Sequence, residues 1–276
     1  NVPGLDNVSG SIRGDLGQGT LDLDAKDFVL DLAGIFPAPW QYFKAGARLA
    51  WTLDDQAFTL SSPYIRLDGE EGRIAGDLKI DIPFAADQYS TMDLRVGLTE
   101  GNAAYTVKYL PVPSADFSAG LADWLKTAIV AGDIDEGLFQ YQGTLSASAP
   151  PTSSTLSLYF RLQDLELAYQ PGWPALRQAS GEVFVGETGV QVNVSAGQVL
   201  DSQVSQVVAS VPPAAHGQAP RLLLSADLQS SVQDGLAILQ TAPLGTAATF
   251  AGWQGSGDLS GKLVLDIPLD GPAPPK

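Results

Sequence analysis

Asp22 and Asp24 alternate with Leu21 and Leu23, so on a strand both carboxylates leave the same face. Two carboxylates so placed could gather a metal ion or flank a glycosidic bond. The preferred reading is a solvated strand face. Asp133, Asp135 and Glu136, with Gly137 behind, follow a predicted helix end. They lack the oxygen-ligand spacing of an EF-hand and read as a turn. Asp54-Asp55 and Asp68-Gly69-Glu70-Glu71-Gly72 have the composition of hairpin turns. His216 is the single histidine and lies in the loop PPAAHGQAP. One histidine cannot build a His-ligated catalytic zinc site, and its segment offers no nucleophile or carboxylate partner. There is no GxSxG elbow, P-loop or dinucleotide fingerprint. The residues therefore point away from an enzyme and call for no metal and no cofactor.

The five tryptophans, Trp40, Trp51, Trp124, Trp173 and Trp253, could serve as ligand platforms. Packing of loop or helix against sheet is the preferred reading. Trp51 and Trp124 are the core candidates, and Trp173, in YQPGWPAL, reads as a structural corner.

The surrounding chain is mostly alternating. Leu21, Leu23, Phe28, Leu30 and Leu32 lead into a Pro- and aromatic-rich stretch, Ile35 to Phe43, expected as a packed loop. Ala47, Leu49, Trp51 and Leu53 then share one face, followed by Phe58, Leu60, Ile65 and Leu67 with a bend at Ser62-Pro63. Leu78, Ile80 and Ile82, then Met92, Leu94, Val96 and Leu98, continue the pattern. Later come Leu156, Leu158, Phe160 and Leu162, with Leu165 and Leu167 past a bulge. Val183 to Val194 forms a hairpin over Gly186-Glu187-Thr188-Gly189. Strands follow at Val204 to Val211, Leu222 to Leu228 and Leu263 to Ile267. One apolar and one polar face describe antiparallel sheet solvated on one side.

Two stretches change period. Phe117 to Val130 is the best helix, with Leu121, Trp124, Leu125, Ala128 and Ile129 on one face and Gly132 as its stop. It is expected to plug or cap the sheet with Trp124 packed inward. Val232 to Leu239 is a second, shorter helix with Leu236 and Leu239 inward. The fold class is thus mainly β: a long, twisted antiparallel sheet with one or two short amphipathic helices. The expected organisation is a β-module over 1–108, a helix-containing junction over 109–149, a second β-module over 150–270 and a flexible tail over 271–276.

A formal net charge of -16 and a pI near 4.2 argue against nucleic acid and against a basic membrane-surface patch. With no cysteine, disulfides, Cys-ligated zinc, iron–sulfur clusters and thiol nucleophiles are excluded. There is no signal peptide or membrane-spanning run, and the chain begins at Asn1, so it reads as part of something longer. Leu5 to Ile12 resembles Leu176 to Val183, with Ala45 to Leu49 as a weaker copy. Leu78 to Phe84 resembles Leu263 to Leu269, so short β-modules repeat.

Two helices cannot cover so long a sheet. Either the sheet closes on itself and its interior is core, or it leaves a lipophilic groove. A closed scaffold would present loops such as Ile35 to Phe43 to protein partners. A carbohydrate site would need converging acids and aromatics.

The order of several motifs adds to this reading. Tyr109-Leu110-Pro111 precedes a helix with Trp124-Leu125 and Ala128-Ile129, then GDIDEGLFQYQG from Gly132. FRLQDLELAYQPGWPALRQASGEVFVGETGVQVNVSAGQV follows from Phe160, and WQGSGDLSGKLVLDIPL from Trp253. This order resembles the large bacterial YhdP proteins of the AsmA-like superfamily. The resemblance implies a segment of a periplasmic bridge, anchored in the inner membrane of a Gram-negative bacterium by a helix elsewhere. It implies a sheet curled into an open, taco-like groove or partial barrel, carrying phospholipid or other acyl-chain lipid between the two membranes. Its partners would be that lipid, neighbouring repeats of the full-length protein and envelope proteins. The family offers no catalytic residues to carry over. Alternation puts Leu49, Trp51, Leu78, Ile80, Leu94, Val96, Leu158, Phe160, Val192 and Leu224 on the groove face.

Overall fold

Alternating apolar and polar residues carry most of the chain into strands, as the pleat requires. The computed structural model describes residues 4–114, 117–146, 148–214 and 218–269, so His216 and the tail 271–276 lie outside the described residues. The strands are β1 (Gly4–Asp6), β2 (Gly10–Gly14), β3 (Gln18–Asp31), β4 (Trp40–Leu53), β5 (Ala57–Gly69), β6 (Gly72–Pro83) and β7 (Thr91–Asn102). They continue as β8 (Ile129–Thr144), β9 (Ser154–Leu167), β10 (Leu176–Gly186), β11 (Gly189–Val199), β12 (Ser202–Val211), β13 (Arg221–Ser231) and β14 (Asp258–Pro268). Among the described residues three α-helices interrupt them: α1 (Ala119–Ala128), α2 (Val232–Thr241) and α3 (Ala247–Phe250). The strands hydrogen-bond in chain order from β3 to β14, and β1 and β2 share the free side of β3. The result is the expected mainly antiparallel sheet, not closed into a barrel.

The chain divides into two compact units, Asn1–Ser118 with Asp135–Tyr159, and Ala119–Ile134 with Phe160–Lys276. In the first, register is fixed by alternation and corrected by bulges. Ala47 pairs with Ile65 and Ala50 with Ser61, so β5 has one residue more than β4 across this step. The extra residue falls at Ser62-Pro63-Tyr64, where a proline costs no ladder bond. Ser62 is fully buried there, and its hydroxyl donates to Tyr64 O at 2.7 Å. Asp27 sits at φ 50 and shifts the phase of β3, so that Phe28 is the next residue after Ala25 to be buried.

These adjustments build one core. Ala25, Phe28, Tyr42, Ala45 and Leu67 are buried together, with Leu23, Leu30, Trp40, Ile65 and Ile74 packed around them. A 3₁₀ turn, Ala103–Tyr109, follows β7 and covers this cluster; the sequence pattern gave no hint of it. Lys108 Nζ donates to Glu71 Oε1 at 2.7 Å and to Gln41 O at 3.0 Å. The Tyr109 hydroxyl donates to the same Glu71 oxygen, and the Tyr42 and Tyr109 hydroxyls lie 3.1 Å apart. Lys108 Nζ is also 4.7 Å from the Tyr42 ring centre, close enough for cation–π attraction. Glu71, read from composition as a turn residue, is therefore a buried carboxylate whose Oε1 accepts from two residues of the 3₁₀ segment.

The stretch Ile35 to Phe43 is only partly the loop expected. Its aromatic end, from Trp40, already belongs to β4, because Trp40 to Tyr42 pair with Leu30 to Phe28. The Trp40 indole donates to Lys108 O at 3.0 Å and packs 4.8 Å from Tyr109 and 4.3 Å from Phe36, centre to centre.

In the second unit the helix expected over Phe117 to Val130 is shorter. Ile129 and Val130 are β-branched and start β8, and Gly132, at φ 148, lies inside that strand rather than ending the helix. Asp133 is correspondingly an outward strand residue beside buried Ile134, not part of a turn. The buried face of α1 is Ala122 and Ala128. Trp124, expected to pack inward, is 41% exposed; its indole donates to Tyr169 O at 2.9 Å, tying α1 to the end of β9 from outside. The core here is Val204, Val207 and Ala226, with Val194, Val199, Leu224, Leu228 and Leu263 against it. Helix α2 matches expectation and is capped by Ser231, whose hydroxyl accepts from Asp234 N at 3.1 Å.

Burial holds the Tyr42 and Tyr109 phenols well above the ordinary tyrosine range, and the negative charge of Glu71 adds to the effect. A folded-state pKa above the unfolded value stabilises below the unfolded pKa and is lost as pH rises toward the folded one. We expect stability to fall above about pH 10, the unfolded tyrosine value. Tyr42→Phe and Tyr109→Phe should each flatten that slope in urea titrations followed across alkaline pH. An unchanged slope in both variants would contradict the assignment.

Candidate functional site

Cross-strand registers turn the apolar residues of the first unit into rows. Trp51 stands opposite Gly19 on one side and Leu60 on the other, Leu60 opposite Ile80, and Ile80 opposite Met92. Leu49 is opposite Leu21, Leu78 opposite Leu94, and Val96 opposite Gly76. Six expected groove residues are therefore brought onto neighbouring rows of one sheet face. In the second unit Val192 and Leu224 lie in a single row: Val183, Val192, Ala209, Leu224 and Leu265 are successive partners. Leu158 falls in the first unit and Phe160 in the second, two residues apart on β9. All ten are half-buried: none is sealed in a core and none is fully exposed.

The reverse face is held polar by ion pairs. Asp22 accepts from Arg48 at 2.5 Å and Asp77 from Arg95 at 2.9 Å, each across directly paired residues of adjacent strands. Asp81 is shared between Lys79 at 2.7 Å and the Thr59 hydroxyl at 2.7 Å, which holds its carboxyl below the usual range. In the second unit Arg221 pairs with Asp266 at 2.7 Å. Exposed cross-strand pairs of this kind contribute little to stability individually. Their effect is to make the opposite pleat expensive, since turning a strand over would place carboxylates on the apolar side. Asp22, read as a solvated strand face, is thus part of the register code rather than a metal ligand. Among the described residues no group of three or more acids and histidines is placed to hold a metal.

Trp51 is not core, as the sequence suggested, but part of the half-buried face. Its indole packs directly against Gly19: a Cβ there would come within 2.1 Å of Trp51 Cζ2. The indole nitrogen donates to Asp15 O at 3.3 Å. Leu60 and Met92 alternate visibly in the sequence yet were not placed among the site residues, and Ala209 is too small to stand out. Trp253, expected to pack helix or loop against sheet, is 59% exposed and meets Phe250 edge-on at 5.2 Å.

A family profile described as YhdP protein matches residues 1–276. The chain is 23% identical over 273 residues, 98% of its length, to the Escherichia coli (strain K12) protein named intermembrane phospholipid transporter YhdP. It spans 21% of that relative's length. No solved structure matches.

Filling the gap under Trp51 tests whether the glycine row shapes this face. Gly19→Val should cost about 1–3 kcal/mol through overpacking and expose the indole. Chemical denaturation with tryptophan emission would register both, and an unshifted spectrum with native stability would refute the contact.

Proposed function

Because this chain belongs to the YhdP family, a group of bacterial envelope-associated transport scaffolds rather than enzymes, we propose that its apolar face conducts the acyl chains of phospholipids between the inner and outer membranes. The observation that carries this reading is the half-buried state of all ten residues named from alternation, from Leu49 to Leu224. A scaffold with a sealed interior would bury such leucines and isoleucines completely. A face in contact with lipid keeps them packed against one another yet reachable. Burying an acyl methylene is worth about 0.8 kcal/mol wherever the surface is apolar, so lipid gains nearly the same free energy at each row. Uniformity of this sort favours sliding over capture. Headgroups stay in water along the uncovered side, and no chemical step is needed.

In this reading the β-modules 1–108 and 150–270 are successive stretches of one bridge, with 109–149 as their junction. Neighbouring repeats of the full-length protein extend the face, and envelope proteins meet its ends. The inner-membrane anchor is supplied elsewhere in the protein; among the described residues no helix is long and apolar enough to cross a membrane.

Ile80→Asp and Phe160→Asp place a charge on the conducting face while leaving the ion-paired face untouched. If each removes contact with two methylenes, about 1.6 kcal/mol, lipid occupancy falls roughly tenfold. Photocrosslinking of phospholipid in whole cells measures it. Val208→Asp, on the reverse pleat and 53% exposed, serves as the control expected to leave lipid contact intact. Undiminished crosslinking in folded Ile80→Asp and Phe160→Asp proteins would exclude this face as the path.

A further inference from the structure

Resting on the lipid reading above, we infer that residues 103–112 of the first unit and helix α2 of the second are latched straps. Each closes one end of its unit's apolar face, so that lipid is confined to the other end.

In the first unit, cover changes along the strands. At one end Ala25, Ala45 and Leu67 are 1%, 2% and 9% exposed. Midway, the row of Trp51, Leu60, Ile80 and Met92 is half-buried. At the far end Leu53 and Ile82, both paired with Phe58, are 42% and 38% exposed. The strap lies at the buried end. It leaves β7 where Asn102 N donates to Glu71 O at 3.0 Å, in the β5–β6 turn. It then crosses β4 through the Lys108 contacts to Glu71 and Gln41, and reaches the β3–β4 loop where Val112 N donates to Ile35 O at 2.8 Å. Tyr109, resting on Tyr42 and Trp40, closes the face beneath it.

The second unit repeats the route with different chemistry. Helix α2 starts where β13 ends, and Asp234 in its first turn is 7% exposed. Its carboxylate accepts from Ser202 Oγ at 2.6 Å and from Asp201 N at 3.2 Å, at the β11–β12 turn. Ser202 and Ser230 hydroxyls meet at 2.7 Å beside it, next to the buried Val204 and Ala226. Beyond the helix, Pro243 reaches the β9–β10 loop, where a Cβ on Gly172 would lie 3.4 Å from its ring. Both segments leave a strand, pass over the turn of the preceding hairpin and end on the loop before that. Both are pinned at the turn by a buried carboxylate. In one unit the acid belongs to the turn and in the other to the strap. Two unlike latches at one topological position mark the closure as a requirement of the fold, since helix contact alone would have covered the same apolar area.

The test is a map of lipid adducts. Cells making the full-length protein are fed a diazirine-bearing fatty acid, irradiated, and the purified protein is digested and sequenced by mass spectrometry. In the unaltered protein, adducts should fall on Ile80, Met92 and their row, and be absent from the buried Tyr42 and Leu67. In Glu71→Gln, adducts should extend to Tyr42 and Leu67 while those on Ile80 persist, which also shows that the sheet remains folded. Asp234→Asn should do the same at the buried Val204 and Val207. Adducts at Leu67 or Val204 in the unaltered protein overturn the straps and leave the lipid path standing. An unchanged map in both latch variants overturns the latches. Absence of adducts at every position overturns the lipid path and the straps together.

Discussion

A sheet with one apolar face must cover that face or hold it ready for a ligand, and every other feature of this chain answers to that constraint. The fourteen strands follow one another in near-sequential order in one sheet, and among the described residues the long connections after β7 and β13 carry only short helical segments rather than a second layer. The helices are short: α1 and α2 have ten residues each and α3 four. What cover exists is concentrated at one end of the strands, where the fully buried residues collect. The half-buried rows are therefore a consequence of topology rather than of loose packing.

The pleat must first be assigned, and charge does this. Directly opposed pairs such as Asp22 with Arg48 and Asp77 with Arg95 gain little as exposed ion pairs. Reversal of any strand, however, would carry a carboxylate into the apolar row and strip a leucine from it. Bulges then keep this alternation in phase over long strands. Because the bulge at Ser62-Pro63-Tyr64 absorbs one residue, Leu60 and Ile65, five positions apart, emerge on the same face. At Asp27, with φ 50, the burial phase of β3 changes without a register shift, so that Ala25 and Phe28 are both buried.

Much of this was legible because a period of two is a local property. The strands, the glycine hairpin at Gly186 to Gly189, the bend at Pro63 and the face carrying Trp51 and Ile80 follow from neighbours in sequence. The helix boundary was misread because Ile129 fits a helical stripe as well as a strand, and only the β8 ladder decides between them. Trp124 was misread for a related reason. Its place on the apolar stripe says nothing about which side of α1 meets the sheet, and the small residues Ala122 and Ala128 won because they allow closer approach. Glu71 was invisible: its meaning depends on Lys108 and Tyr109, thirty-seven and thirty-eight residues away. Composition correctly made it a turn residue and missed that the turn is covered.

That last failure bears on how such a face can remain open at all. A strap held only by apolar contact could slide along rows of leucine and valine, since dispersion and water exclusion are nearly indifferent to register. A buried carboxylate is not indifferent. Glu71 Oε1 finds its donors only where Lys108 and Tyr109 stand, and one residue of slip would leave the carboxylate charged and unpaired in a dry site. Asp234 imposes the same condition through Ser202 and the Asp201 amide. Directional bonds thus fix where cover stops, and non-directional contact begins beyond them. The boundary between the two kinds of interaction is the boundary, within each unit, between the covered and the half-buried part of its apolar face.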